Sequence, residues 1–308
     1  TAGLSDADED SWGDGNKYSL AATLEREEVA GIAEELLEVH GVAPNKKAEG
    51  VTRLMYENVD GMLNRISNND KLDKAKEVID ELGVDVVAYN EHKMRMGHKD
   101  NRNGMSQMFY GGEAEIRSVV GHNTHEEGGG KVQQGGTSMM LYGTLIEQYD
   151  FEASGKDEKG LGRWVHMMLR GEDGVNTRIV CGYNPCKSRK KATRSSYQQH
   201  RRYLITKEKD RTCPRVRFRE DLLRQLKVWR DQGDRLIVCM DANENIYNGH
   251  IGKALTDENG LGMVEAVGNY TGEKIGATFF RGSEPIDGVW VTPDVVVTGA
   301  CVMPAGYG

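Results

Sequence analysis

Four short acidic and amide-rich pieces each sit at the end of an apolar run: Asn58-Val59-Asp60-Gly61, Asn90-Glu91-His92-Lys93, Asp241-Ala242-Asn243-Glu244-Asn245 and Ile286-Asp287-Gly288-Val289-Trp290. Carboxylate and amide oxygens are hard donors, and without thiolates among them they select Mg2+ or Mn2+ over zinc. A strand can carry such a group to its C-terminal edge and hold it there rigidly. A phosphodiester is an anion, so water attacks it readily only after its charge is neutralised. A divalent ion supplies that charge, and a nearby carboxylate can serve as the base. Each piece alone has a blander reading: Asp60 before Gly61 is a turn, Glu91 a solvated strand end, Asp287 a hairpin cap. Four strand ends in one chain predict a magnesium-type oxygen site.

The elements that must position these groups follow from hydrophobic periodicity. Residues 51–58 read as a strand ending at Asn58. A helix over 70–82 follows, with Leu72, Ala75, Ile79 and Leu82 on one face and Gly83 as its stop. Residues 84–89 form a buried strand leading into Asn90-Glu91, so this strand–helix–strand unit brings both polar ends to one edge. Residues 97–136, rich in Gly, Asn and His, read as long loops. Further strands are expected through Tyr142 and over 163–169, 177–183, 236–240, 278–280, 289–292 and 295–298, with helices over 195–207 and 217–229. Short, regularly spaced strands with few helices predict two packed sheets flanked by helices.

The 308 residues are 38% hydrophobic and 29% charged, and no apolar stretch approaches a membrane span. The polar start carries no secretory signal, and a first residue of Thr suggests a fragment or processed chain. Five cysteines (Cys181, Cys186, Cys213, Cys239 and Cys301) form neither a disulfide framework nor paired zinc spacing, which points to a reducing, intracellular setting. Gly128-Gly129-Gly130 lacks the Lys-Ser/Thr of a phosphate-binding loop. The net charge of −8 is unevenly distributed. Residues 1–50 hold twelve Asp/Glu against four Lys/Arg, and read as an acidic flank with one amphipathic helix over 19–40 built on Leu20, Leu24, Ile32, Leu36 and Leu37. Residues 51–308 read as the main domain. Within it, residues 187–219 carry thirteen Lys/Arg against Glu208 and Asp210. Lys187, Arg189, Lys190, Lys191 and Arg194 follow directly on the strand ending at Tyr183, where they would grip a polyanion such as nucleic acid.

Taken in order, Asn58-Val59-Asp60-Gly61, Glu91 with Lys93, Gly135-Gly136-Thr137-Ser138, Gly182-Tyr183-Asn184-Pro185, Asp241-Ala242-Asn243 and Ile286-Asp287-Gly288 resemble the endonuclease/exonuclease/phosphatase (DNase I-like) superfamily. The likeness is closest to apurinic/apyrimidinic-type endonuclease domains of non-LTR retroelements, and runs from Val51 to the C-terminus. It implies an α/β fold, a four-layer α/β/β/α sandwich of two packed, mostly antiparallel sheets. It also implies Glu91 as the main ligand of Mg2+ or Mn2+, with Asn58 and Asp60 in the same pocket. Asp241 would align or deprotonate the attacking water, Asn243 would bind the scissile phosphate, Tyr183 would donate to a phosphate oxygen, and Asp287 would orient a catalytic histidine. The family's closing Ser-Asp-His motif is missing, because the chain stops at Pro304-Ala305-Gly306-Tyr307-Gly308, so the domain is expected to be truncated. The resemblance implies a DNA-nicking endonuclease in the nucleus, with a reverse transcriptase downstream on the same polyprotein. The alternatives are a catalytically incomplete nucleic-acid-binding module, a phosphatase or an RNA deadenylase of the same fold.

Overall fold

Alternation along the strands builds two sheets, each with one face turned to the other. The computed structural model describes residues 40–41, 47–62, 69–96, 116–126, 130–188, 194–279 and 281–303. The chain divides into Thr1–Glu38 and Val39–Gly308, and every described residue belongs to the second unit. A short pair joins β1 (His40–Gly41) to the last strand, β12 (Cys301–Val302). The four-stranded sheet has the order β2 (Leu54–Asn58), β3 (Val86–Asn90), β5 (Thr137–Tyr142), β4 (Ile116–Gly121). The six-stranded sheet runs β10 (Val264–Glu265), β11 (Asp287–Val291), β9 (Arg235–Asp241), β8 (Thr177–Tyr183), β7 (Trp164–Leu169), β6 (Tyr149–Lys156).

Each sheet contains one parallel pair. Helix α1 (Asn69–Glu81) carries the chain from β2 to its parallel neighbour β3. Between β8 and its parallel neighbour β9 the chain passes through α2 (Ser196–Tyr203), a π-helical turn over Leu204–Glu208, and α3 (Pro214–Asp231). Parallel pairing requires such a crossover, and it delivers both C-terminal ends to one edge. The observed edges are in register: Asn58 opposite Asn90, and Tyr183 opposite Asp241.

The period of two along a strand fixes which side chains meet. Val86, Ala88, Met139 and Leu141 face Val165, Met167, Ile179, Cys181 and Cys239 across the inter-sheet layer. The outer face of the small sheet packs Val87, Tyr89 and Met140 against Ala75 and Ile79 of α1. The outer face of the large sheet packs Val180, Val238 and Trp290 beneath Phe218, Leu222 and Leu226 of α3, with α4 (His250–Thr256) and α5 (Ala266–Thr271) beside them. These are the expected helix, two sheets and helices in four layers.

Several expectations change. Residues 278–279 form a bend, and 295–298 run extended without joining a sheet among the described residues, with Val296 85% exposed. β-branched residues favour extended backbone, but a strand also needs a ladder partner. Conversely, β4 forms within the Gly- and His-rich stretch read as loop, and β6 forms where no strand was expected. Asp287 begins its strand rather than ending one; β11 is antiparallel to β9, so its start lies opposite Asp241 at the same edge. Of the expected helix over 19–40, only His40 is described, and it lies in β1; residues 19–39, the tail 304–308 and residues Arg189, Lys190 and Lys191 lie outside the described residues.

A buried ion network ties the crossover helix to this edge. The guanidinium of Arg163, 2% exposed, donates to both oxygens of Asp157 at 2.7 and 2.8 Å and to Asp221 of α3 at 2.9 Å. Its carbonyl accepts the Tyr183 N–H at 2.8 Å, which links the network to the site. Removing one partner of a buried ion pair strands the others in low dielectric. Arg163→Met should therefore destabilise the fold by about 3–5 kcal/mol in urea unfolding at pH 7. Introducing Asp157→Asn and Asp221→Asn alongside it should recover much of that loss.

Candidate active site

Strand parity aims four of the singled-out residues, together with Asn90, into the open end of the inter-sheet layer. Asn58 follows Leu54 and Tyr56, Tyr183 follows Ile179 and Cys181, and Asp241 follows Ile237 and Cys239, all packed on that layer. Asn90 follows Val86 and Ala88 in the same way, and Asp287 precedes Val289. The two sheets are stitched together here by polar bonds. Asn58 Nδ2 donates to Asp241 Oδ2 at 2.9 Å, Tyr56 Oη donates to Asp287 Oδ1 at 2.8 Å, and Asn90 Nδ2 donates to the Gly182 carbonyl at 2.7 Å. Asn90 Nδ2 also reaches Tyr56 Oη at 3.0 Å.

Beyond the strand ends, the backbone turns sharply. Five non-glycine residues among those described have positive φ, and four are here: Asp60 (41°), Glu91 (51°), Lys93 (52°) and Asn243 (48°). Left-handed backbone costs non-glycine residues of order 1–3 kcal/mol each, and such strain gathers at functional sites. The Lys93 ammonium bonds the Asp60 carboxylate and lies 3.3 Å from Glu91 Oε2. Beneath it, His92 is a buried brace. Its Nε2 faces the Gly121 carbonyl at 2.8 Å and its Nδ1 accepts the Met94 N–H at 3.0 Å, and burial lowers its pKa to about 4. Gly136 (φ 94°) must be glycine, since a Cβ would stand 2.3 Å from the His92 ring.

The electrostatics are dominated by unbalanced negative charge. Burial pushes the Asp241 carboxyl well up, and the charges of Asp287 and Glu91 push it further, while the Asn243 N–H and the Asn58 amide pull it back. Burial raises Asp287 to about 6, against hydrogen bonds from Tyr56 and Thr278. Tyr183 is held well above its usual value by burial, by the charges of Glu91 and Asp241, and by its hydrogen bond to Glu91. Burial would lower Lys93, but Asp60 and Glu91 outweigh it and hold the ammonium charged.

The site residues therefore fall into groups. Asn58, Tyr183, Asp241, Asn243 and Asp287 come together with Glu91, Asp60 and Lys93. Asn243 Nδ2 is turned inward, donating to Asp241 Oδ2 at 3.0 Å and the Asn184 carbonyl at 2.8 Å. Lys187 and Arg194 are exposed on the loop after β8. Asp287 accepts from Tyr56 and from Thr278 Oγ1 at 2.8 Å, with no histidine among its described partners. His166 stacks on Trp229, on the far face of the large sheet. Tyr56, Asn90, Asn184 and Thr278 were missed as site residues. Tyr56 had a readable signal, since it shares a strand face with Asn58.

Among the described residues, no three acidic, imidazole or thiol side chains converge as a metal cage. The donor set is instead mixed: the Glu91 and Asp60 carboxylates with the Asn58 amide oxygen. These oxygens could hold a hard divalent cation, since the Asp60 and Glu91 carboxylates share a single ammonium, that of Lys93.

Asp287 titrates near 6 when folded, against about 3.8 as its ordinary value, so the folded state holds this proton to higher pH. Its contribution is therefore most favourable below about pH 4 and is lost as pH rises through 6, by roughly 3 kcal/mol. Chemical denaturation with a chelator present should show that loss between pH 4 and 7. Asp287→Asn should flatten that part of the profile.

No protein-family model and no curated protein matches the chain. Among solved structures, it is similar to the human Nocturnin catalytic domain with bound sulfate anion, at 14% identity, TM-score 0.53, over 79% of this chain and 82% of that one. It is also similar to the AP endonuclease LMAP from Leishmania major, at 13% identity, TM-score 0.52, over 88% and 91% of the respective chains. At such identities the likeness concerns the fold, and it agrees with the two-sheet, four-layer order of the strands. The chain shares the fold of these two structures, a DNase I-like four-layer α/β/β/α sandwich.

Proposed function

We propose that this chain is a Mg2+- or Mn2+-dependent phosphodiesterase that nicks DNA, the endonuclease domain of a retroelement polyprotein. One observation carries the reading: Asn58, Glu91, Tyr183, Asp241 and Asp287, at or just past the ends of five strands, meet at one edge with a net negative charge, and Lys187 and Arg194 are exposed on the loop after β8. The AP endonuclease of the same fold supports DNA as the substrate. Residues 51–308 would carry the activity and residues 1–50 an acidic flank. A reverse transcriptase on the same polyprotein would use the 3′-hydroxyl left by the nick, and the protein would then act in the nucleus.

The residues have separable tasks. Glu91 and Asp60, with the Asn58 amide oxygen, would hold the divalent ion. When bound, that ion supplies the positive charge that offsets the phosphate. Asp241 could take a proton from water once a bound cation offsets the burial and the Asp287 and Glu91 charges that make it hold its own. Its orientation is fixed by Asn58 and by the Asn243 backbone N–H at 2.8 Å. Tyr183 keeps its proton and can donate it as a hydrogen bond to a phosphate oxygen. Lys187 and Arg194, with Arg189, Lys190 and Lys191 between them in sequence, would position the phosphate backbone without reading bases. A nucleic-acid-binding module without turnover is the second reading, favoured by Asp287 having Tyr56 and Thr278 as partners where the family would supply histidine.

Nicking of supercoiled plasmid tests both. Hydrolysis should need Mg2+ or Mn2+, stop with chelator, and fall by about 10²–10⁴ in Asp241→Asn. Activity on RNA or a phosphomonoester, with none on DNA, would move the chain to the deadenylase or phosphatase branch. DNA binding that survives Glu91→Ala, with no cleavage of any substrate, would make it a binding module. Binding should weaken with salt, and Lys187→Ala or Arg194→Ala should each reduce the log–log slope by about 1.

A further inference from the structure

Helix α2 buries two adjacent glutamines where apolar residues would be expected. Gln198 and Gln199 are each 3% exposed, and Ser195 Oγ caps the helix by accepting the Gln198 N–H at 3.4 Å. A buried amide is costly unless its donors and acceptor are used, so their partners define their role. Neighbouring positions on a helix point about 100° apart, and these two diverge accordingly. Gln198 Nε2 donates to the Ser188 carbonyl at 2.5 Å, and Gln199 Nε2 donates to the Arg194 carbonyl at 2.7 Å. Ser188 and Arg194 are the described residues on either side of the basic stretch 189–193.

The same network continues inward. Gln199 Oε1 accepts from Asn123 Nδ2 at 3.2 Å, and the Asn123 carbonyl accepts from Gln133 Nε2 at 2.6 Å. The Gln133 backbone N–H donates to the Lys93 carbonyl at 2.9 Å. Asn123 and Gln133 are 4% and 5% exposed. A second contact runs alongside: a Cβ on Gly135 would lie 2.6 Å from Ser196 Oγ, so the start of α2 packs directly on that segment. The Gly135 carbonyl in turn accepts the Lys93 N–H at 3.0 Å.

We propose that Gln198 and Gln199 are positioning residues that fix Ser188 and Arg194, on the two sides of the basic loop, relative to the Glu91–Lys93 turn, Gln199 through this buried chain of amides and Gln198 through the helix it shares with Gln199. The inference rests on the reading of that loop as a grip for nucleic acid, and deepens it. Individually, Lys and Arg side chains are long and flexible, so phosphate register depends on where their backbone is anchored. Two backbone carbonyls, one on each side of the loop, are held by side chains of one helix, and that helix is tied to the turn bearing the candidate metal ligand. The Ser188 and Arg194 carbonyls are thereby held by amide hydrogen bonds in low dielectric, where a satisfied network is rigid.

Gln198→Met and Gln199→Met, made separately in the full chain, preserve side-chain length while removing the donors. Three quantities decide: the rate of trypsin cleavage between Lys187 and Arg194, KM against kcat for a DNA duplex, and the midpoint of Mg2+ activation. The expected result is cleavage several-fold faster than in the unaltered chain and KM raised by about tenfold, with kcat and the Mg2+ midpoint within about twofold. Unchanged trypsin cleavage and unchanged KM, whatever happens to Tm, would overturn the proposal. Should Gln199→Met fail to fold, Gln198→Met alone decides by the same readouts. If the unaltered chain binds no nucleic acid, the functional reading falls. The trypsin rates then still judge the tether: faster cleavage keeps it, and equal rates remove it.

Discussion

Two carboxylates in register on neighbouring strands, Asp241 and Asp287, close the end of a layer that is otherwise apolar. Burying like charges together is unfavourable, and each group answers by holding its proton more tightly. The surrounding structure is organised around that penalty. Donors converge on the pair from both sheets: Asn58 and Tyr56 from one, Asn243 and Thr278 from the loops of the other. Those same bonds clamp the two sheets at this edge. The carboxylates thus destabilise locally while the groups recruited to satisfy them fix how the sheets meet, a trade that a purely apolar edge would not require.

Backbone geometry repeats the pattern. Strand parity brings a side chain to the layer's end, but the chain must then turn at once to leave room above it. The turns at Asp60, Glu91, Lys93 and Asn243 enter the left-handed region, where a Cβ is disfavoured. Asn and Asp accept that conformation with the least strain; Glu91 and Lys93 do not. Their turn is held from outside. His92 locks it to Gly121, and the Gly135 carbonyl and the Gln133 N–H bind the two sides of Lys93. Glycine at 136 is what lets the imidazole lie flush against the backbone.

How much was legible in the sequence depends on what each element relies on. Strands β3, β5, β7, β8 and β9 are buried on both faces, so they read as continuous apolar runs and their ends could be placed within a few residues. Strand β6 is an edge strand with Asp150, Glu152 and Lys156 along it, and its signal is erased by solvent. Residues 295–298 carry the opposite lesson, since four β-propensity residues do not make a strand without a neighbour to pair with. In the site, carboxylates at strand ends stood out because they interrupt apolar runs. Asn90 and Tyr56 gave only their place, one at a strand end and the other on the strand face of Asn58, because a polar atom on an otherwise packed side chain shows its role only through its partner across the sheets. Asn184 and Thr278 act through bonds to residues about 60 and 9 positions away, which no local pattern encodes.

The competing readings of the site differ in what they do with negative charge. A surface that only binds a phosphate backbone gains from lysine and arginine and loses from every carboxylate placed nearby. Here Glu91, Asp241 and Asp287 raise the proton affinity of their neighbours, and the cation nearby, Lys93, is paired with Asp60 and Glu91. Such an arrangement opposes polyanion binding unless further positive charge enters with the substrate. A divalent cation would satisfy that requirement and would favour the ionised form of Asp241, the form that can accept a proton. Tyr56 complicates the assignment of Asp287, because its hydroxyl occupies one oxygen and Thr278 the other. An imidazole would have to share those lone pairs, and a carboxylate oxygen can accept more than one donor. The bonds from Tyr56 and Thr278 are therefore compatible with an orienting role for Asp287, and they explain how the group stays fixed when it is the only acid at the start of its strand. Charge balance accordingly favours hydrolysis over simple binding.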